Sequence, residues 1–105
     1  GFLILNSAIR QFQTLQTLRY GMETENKNAA STVASARPPV FFARKKLMEI
    51  ALQSWSTASC ARAIERLQKT VLESRRNAAL SVPIIRQTMI ALVAEAARAA
   101  RHNGR

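Results

Sequence analysis

The sequence predicts an all-α domain, an antiparallel helical bundle of four long helices with one short additional helix. Alanine is abundant, β-branched runs are few, and the 105 residues include only 3 glycines and 3 prolines. Such a composition favours helix over loop or strand. Apolar residues recur at helical spacing, and all predicted connections are short except Gly21–Pro38. Short links make consecutive helices antiparallel neighbours, and the length fits a single helical domain over residues 1–105.

The first helix is expected over about Phe2 to Tyr20, with Gly21 directly after its end. Residues Met22 to Asn28 are polar and predict a loop. Ala29 to Ala36 predicts the short helix, for which coil up to the two following prolines is the alternative. The residues expected to face inward are Leu5, Ala8, Ile9, Phe12, Leu15 and Leu18 in the first helix, and Ala30 and Val33 in the short one.

The third helix is expected over Pro39–Trp55. The first of two adjacent prolines stops any helix before it, and the second suits the first position of a new one. Trp55 is expected to plug the end of the bundle, with base stacking as the alternative. One side of this helix is predicted to carry Val40, Phe41, Leu47, Met48, Ala51, Leu52 and Trp55, together with Arg44 and Lys45.

Ser56 is a good N-cap for the fourth helix, which should end near Arg76–Ala78 with basic residues in its last turn. Ser81 should cap the fifth helix, where Pro83 is tolerated in the first turn. The predicted inner faces are Cys60, Ala61, Ile64, Leu67, Val71 and Leu72 in the fourth helix, and Ile84, Ile85, Thr88, Met89, Leu92 and Ala96 in the fifth. The fifth helix carries three further apolar residues outside this face: Ile90, Ala91 and Val93. It is therefore expected either to lie at the centre of the bundle or to dock on a partner.

The charge balance predicts a polyanionic partner. Sixteen lysines and arginines oppose 6 acidic residues, all glutamate, for a net charge of +10. Nucleic acid, an anionic membrane surface and an acidic protein all fit this balance. A single cysteine excludes an intrachain disulfide and favours the cytoplasm. No uncharged apolar run reaches the ~18 residues of a membrane span, and the start lacks a signal peptide, so no membrane association is expected.

No residue pattern predicts catalysis. The only histidine, His102, lies in the basic tail, and Cys60 lies on an apolar face without a histidine partner. Cys60 is therefore interpreted as a structural cysteine, with a nucleophile as the alternative. One cysteine, one histidine and no aspartate almost exclude a tetrahedral zinc site, and no glycine-rich phosphate loop occurs. We expect no enzymatic activity, no metal and no cofactor.

The segment with the most distinctive sequence is Arg37–Lys46, RPPVFFARKK, which combines two prolines, two aromatic residues and a run of cations. Cations in a first helical turn are unfavourable by roughly 0.3–1 kcal/mol each, so phosphate is a natural partner for Arg44 and Lys45. The alternative is that these charges are simply solvated. Phe41 and Phe42 are about 100° apart on a helix and cannot both face one core. One of them is therefore expected to be exposed or at an interface. The alternative interpretation, in which Arg44 and Lys45 are only solvated, has both phenylalanines in the core.

These residues resemble the C-terminal region of the bacterial DNA polymerase III delta subunit. The resemblance rests on RPPVFFARKK, a helix ending in LQSWS, and then CARAIERL at Cys60–Leu67. In the first helix, Ile9–Phe12 and Leu15–Arg19 also match. The resemblance covers nearly all of the chain, is most specific over residues 37–56, and is closest to the alphaproteobacterial branch.

The resemblance implies a collar domain of the sliding-clamp loader in DNA replication. In that family, delta is a non-hydrolysing subunit of the polymerase complex, and its helical collar domain joins those of gamma/tau and delta prime in a ring. Primer–template DNA lies in the chamber below. The implied DNA contacts are Phe41 or Phe42 stacking on an unpaired template base, and Arg44, Lys45 and Arg37 meeting phosphates.

The resemblance also implies that the chain is a fragment of a longer protein. The N-terminal ATPase-like domains of the family have no counterpart in this sequence, so clamp opening and nucleotide-linked motion are not expected here. The family also has collar helices before the first helix of this chain. The apolar stripe Phe2–Phe12 is then partly uncovered, and we expect homo-oligomers to form through it.

Two alternatives to the collar-domain function belong to other functional classes. A helical DNA-binding regulator of helix-turn-helix type would use Ser56–Asn77 or Ser81–Arg101 as its recognition helix. Neither preceding turn has the usual glycine geometry, and base-reading asparagine and glutamine are sparse on the polar faces. A basic amphipathic module for anionic membranes is the other rival, but the helices lack the Trp- and Lys-rich interfacial pattern.

Overall fold

The computed structural model describes residues 2–36 and 44–103. These residues form helices and turns, and no strand occurs among them, which confirms the predicted all-α class. The predicted start of the third helix, Pro39, lies outside the described residues. The helices are α1 Phe2–Thr24, α2 Ala29–Ala34, α3 Lys45–Ser54, α4 Thr57–Arg76 and α5 Ser81–Asn103, with a 3-10 turn at Ala78–Leu80.

Helix α1 ends later than predicted. Gly21 lies inside the helix, and the chain instead turns at Asn26, where φ is 55°. The Lys27 N–H donates to the Met22 carbonyl over 3.0 Å, the bond of a Schellman cap whose left-handed residue is Asn26. Asparagine tolerates this conformation because its short polar side chain can bond locally. The prediction that Gly21 follows the helix, and that the loop begins at Met22, is therefore wrong.

The short helix α2 forms within the predicted range. Its N-cap is Asn28, whose side-chain oxygen accepts from the Ser31 N–H over 2.8 Å. Val33 is buried, as predicted, but Ala30 is exposed. Ala29 takes the inward position instead, one residue earlier on the wheel. The alternative of coil up to the prolines is excluded for residues 29–34.

A two-residue corner joins α3 to α4, and its geometry confirms Ser56 as the N-cap. The Ser56 hydroxyl accepts from the Ser59 N–H over 3.0 Å, and the Ser59 hydroxyl accepts from the Ser56 N–H over 2.8 Å. This reciprocal pair satisfies two donors that the helix start would otherwise leave free. At the other end, α4 finishes at Arg76 with basic residues in the last turn, also as predicted.

The core draws residues from every helix. Helix α4 packs most extensively on α1 and next on α5, while α3 contacts α1, α2 and α5. The buried cluster consists of Leu5, Leu15, Ala29, Val33, Leu52, Trp55, Cys60, Ala63, Leu67 and Leu92. The Gln16 amide donates to the Thr57 carbonyl, and the Thr57 hydroxyl donates to Glu23, so the start of α4 lies beside the C-terminal half of α1.

The inner face of α4 differs from the predicted one. Ala61 is exposed and Leu72 is 54% exposed, so both predictions are wrong. The buried residues run at spacings of three and four, which is the line of closest helix contact: Cys60, Ala63, Leu67, Thr70 and Ser74. The prediction instead followed the largest apolar residues.

Two buried threonines join α4 to α5. The Thr70 hydroxyl donates to the Arg66 carbonyl over 3.0 Å, and it lies 2.6 Å from the Thr88 hydroxyl. Because Thr70 has only one hydroxyl proton, Thr88 is the donor in the shorter bond. Thr88 and Leu92 are buried, which confirms the predicted centre of the inner stripe of α5.

Helix α5 begins differently from its prediction. Ser81 has helical backbone angles, φ −61° and ψ −42°, so it belongs to the helix and is not its N-cap. The Leu80 N–H donates to the Asn77 carbonyl over 2.9 Å, and the 3-10 turn leads directly into α5. Ile90 is 60% exposed and Val93 67% exposed. Part of the apolar surface of α5 therefore faces away from the core.

The segment Ala78–Arg101, 24 residues long, is apolar and long enough to cross a membrane by length and composition alone. Core helices of soluble proteins pass the same test, although little of this segment is buried here. The sequence-based prediction considered only uncharged runs, and Arg86 interrupts the run in α5. The cytoplasmic location stays a prediction.

Candidate nucleic-acid interface

Of the five predicted DNA-contact residues, two are among the residues that the structure describes and three are not. Arg37, Phe41 and Phe42 lie outside the described residues. Arg44 and Lys45 are described, and both side chains are exposed at the start of α3. The structure therefore places two of the five predicted residues at one accessible helix end.

As far as the structure describes it, the start of α3 has neither a side-chain cap nor an acidic residue to compensate its positive end. Arg44 occupies the N-cap position, its side chain makes no capping bond, and the first turn contains no acidic residue. Lys45 and Lys46 follow and are exposed. The helix dipole makes cations unfavourable at this end, and an anion would relieve both the dipole and the charge repulsion.

A groove between α1 and α3 opens beside Arg44. From α1 it is lined by Ser7, Arg10, Gln11, Phe12, Thr14 and Leu15, and from α3 and its flanks by Arg44, Leu47, Met48, Ala51 and Trp55. We call this surface the α1–α3 groove. Among the residues that the structure describes, its lining contains two arginines and no carboxylate. It can therefore hold an anionic group next to an apolar one.

The apolar part of this groove is fixed by an aromatic pair. The rings of Phe12 and Trp55 lie 4.8 Å apart at 73°, an edge-to-face contact. Trp55 is only 6% exposed, so it has the core position that the sequence predicts. Leu47 is 67% exposed and lies on the rim of the groove, on the same side of α3 as Arg44.

Polar contacts hold the α3–α4 corner against α1. The Arg19 guanidinium donates to the Leu52 carbonyl and to Glu23 Oε1, the latter over 2.8 Å. Glu23 Oε2 accepts from the Thr57 hydroxyl over 3.2 Å. The bond from Arg19 lowers the pKa of Glu23, with the Thr57 hydroxyl contributing less. This network joins residues far apart in sequence and was not predicted.

Arg10 is the groove residue that sequence reasoning missed. It lies among polar residues of α1, where an exposed arginine looks like part of a solvated face. The sequence does contain one indication that Arg10 belongs to a polar face. Ser7, Arg10, Gln11 and Thr14 are spaced three and four residues apart and so share one face of the helix. Only the packing of α3 shows that this face meets Arg44.

A second groove, between α4 and α5, is less suited to an anion. Three exposed cations line it: Arg62, Arg66 and Lys69. Three carboxylates line it as well: Glu65, Glu73 and Glu95. The formal charges cancel, so this surface attracts phosphate less than the α1–α3 groove does.

Cys60 has the environment of a structural residue. Its side chain is fully buried, and this burial raises the pKa of the thiol to about 11. The nearby Arg19 guanidinium opposes that rise only in part. A thiol with such a pKa is protonated at neutral pH and is a poor nucleophile. Within residues 2–36 and 44–103, no group of three or more histidine, cysteine or acidic side chains could hold a metal ion.

No family model matches the chain, and neither a curated protein nor a solved structure matches it.

Proposed function

We propose that the chain is the C-terminal oligomerisation (collar) domain of a DNA polymerase III delta subunit, which assembles the sliding-clamp loader and contacts template DNA. The observation that carries the DNA-contact part is the pair Arg44 and Lys45, both exposed at a helix start that lacks acidic compensation. The resemblance over residues 37–56 supplies the identity. The all-α fold and the net charge of +10 are compatible with it.

Exposed apolar surface on α5 supports the assembly part of the proposal. Ile90 and Val93 lie three residues apart on α5, and the described residues leave them 60% and 67% exposed. Apolar side chains at helical spacing are what a helix of a neighbouring subunit packs against. The proposed partners are gamma/tau and delta prime.

Assembly is tested by pull-down with purified gamma/tau and delta prime subunits. Wild type should be retained, and Val93→Glu should lose retention because it buries a charge in the proposed interface. Ala30→Glu is the matched control, since it adds the same charge at an exposed alanine of α2. Failure of wild type to bind either subunit would refute the collar assignment.

DNA contact is tested by fluorescence titration of forked primer–template DNA against blunt duplex. We expect tighter binding to the fork, because unpaired template bases can stack and their phosphates can reach the start of α3. Arg44→Gln and Phe41→Ala should each weaken binding to the fork. Equal affinity for both DNAs, unchanged by either substitution, would leave a purely structural collar.

The helix-turn-helix alternative predicts a different outcome of the same titration. Its recognition helix, α4, would bind blunt duplex through Arg62, Arg66 and Lys69. Arg62→Gln would then weaken duplex binding, and Arg44→Gln would not.

A further inference from the structure

We propose that the α1–α3 groove binds one unstacked nucleotide of single-stranded DNA, with Arg10 and Arg44 both contacting its phosphates. The proposal rests on the proposed function and adds two things to it. It assigns a phosphate contact to α1, in Arg10, and it gives the base a place on the groove floor.

The charges of the groove select an anion. Arg10 and Arg44 are exposed and line the same groove, one from each wall. None of the described residues that line it is acidic, in contrast to those of the α4–α5 groove, where the formal charges cancel. Two planar guanidinium groups offer bidentate donors to phosphate oxygens, which lysine at the same positions would not.

The floor of the groove selects a flat apolar group beside the anion. Leu47 on the rim is 67% exposed, and Met48, Ala51 and Phe12 of the floor are half-buried, so part of each apolar side chain meets solvent. A base has an apolar face of the size that such side chains cover, whatever its identity. Gln11 and Thr14 line the same groove and could serve the polar edge of the base, since both donate and accept hydrogen bonds.

The first test is the salt dependence of binding to an oligothymidylate. Each phosphate contact to a single strand contributes about 0.7 to the slope of log K against log salt concentration. Arg10→Gln and Arg44→Gln should each lower the slope by about that amount, whereas Arg10→Lys should keep it and lose affinity only. Arg98→Gln is the matched control, an exposed arginine of α5 that should leave the slope unchanged.

The outcomes separate this proposal from the proposed function. If wild type binds no single-stranded DNA, this proposal and the DNA-contact part of the proposed function both fail, and the assembly part is judged by the pull-down alone. If Arg44→Gln lowers the slope and Arg10→Gln does not, the helix start binds DNA but the groove does not, and only this proposal fails. If Arg62→Gln lowers the slope instead of Arg10→Gln, the DNA lies on α4, which also overturns the groove site.

The second test monitors binding in the groove by the fluorescence of Trp55, which lines the groove and is the only tryptophan in the sequence. Oligothymidylate should quench its fluorescence, because the base lies over the groove floor. An abasic oligonucleotide of equal length should bind more weakly and quench little. Equal quenching by the abasic strand, or by an oligoglutamate peptide, would show a general anion site and overturn the assignment to a nucleotide.

Discussion

At the scale of single residues, two buried hydroxyl groups on α4 differ in whether they have a partner. Thr70 donates to the Arg66 carbonyl and accepts from Thr88. Ser74 is 1% exposed, and its hydroxyl has no hydrogen-bond partner among the described residues. A buried polar group without a partner costs about 1–3 kcal/mol of stability, whereas a bonded one is roughly neutral or favourable.

Ser74→Ala should therefore raise the free energy of unfolding by about 1 kcal/mol. The substitution removes an unsatisfied hydroxyl and places a better helix former in α4. Urea denaturation followed by far-UV circular dichroism measures the change. Thr70→Val is the matched comparison, since it keeps the shape, removes a bonded hydroxyl and should destabilise. A loss of stability in Ser74→Ala would show that its hydroxyl has a partner after all.

Cys60 makes a pH-dependent contribution to stability. Burial raises the pKa of its thiol from 9.0 to about 11, so the unfolded chain loses this proton at lower pH than the folded one. The contribution is complete below about pH 9 and is lost as pH rises towards about 11. The stability of wild type should thus fall more steeply over this range than that of Cys60→Ala.

Urea denaturation at intervals between pH 8 and 11 on wild type and Cys60→Ala measures the difference. The smaller side chain of the variant shifts its stability at every pH, and lysine and tyrosine titrations affect both proteins, so only the difference in slope is informative. Parallel profiles would mean that the thiol is not desolvated in the folded state.

At the scale of elements, the capping box ties the start of α4 to the corner that positions α3. Ser56→Ala removes the acceptor for the Ser59 N–H and should lower the free energy of unfolding by about 1 kcal/mol. Ser7→Ala, at an exposed serine inside α1, should change it by a few tenths only. Comparable losses in both variants, measured by thermal unfolding, would argue against the cap.

Cap chemistry was predictable at this corner because it is local. Ser56 precedes an apolar-periodic run, and its bonds reach only three residues ahead. The same rule failed at Gly21, because two residues suited to a helix end lie close together, and the helix continues past Gly21 to Thr24 before the chain turns at Asn26. At Ser81 it failed because a 3-10 turn already satisfies the start of α5.

The candidate site was predictable only along one helix. The cation run at Arg44 and Lys45 is contiguous in sequence, and its unfavourable position at a helix start is a local argument. Arg10 enters the site through the packing of α1 against α3, which brings together residues more than thirty positions apart. The same holds for the contact of Arg19 with the Leu52 carbonyl. Long-range packing leaves little trace in a single sequence.

At the scale of the whole molecule, apolar surface and charge act in opposite directions. Leu3 is 85% exposed and Ile4 57% exposed on the predicted Phe2–Phe12 stripe, while Leu5 is fully buried. Uncovered aliphatic side chains favour association, but a net charge of +10 opposes the approach of two copies. Salt screens that repulsion over roughly 10 Å at 0.1 M ionic strength without weakening apolar contact.

We therefore expect self-association that increases with both protein concentration and salt. Sedimentation velocity at low and high ionic strength measures it. Leu3→Gln combined with Ile4→Gln should leave a monomer under all conditions, because it removes the exposed part of the stripe and spares buried Leu5. Ile90→Gln combined with Val93→Gln is the matched pair on α5, and it should leave the association unchanged. A monomeric wild type at high concentration and salt would contradict the prediction, and loss of association only in the α5 pair would move the contact to that helix.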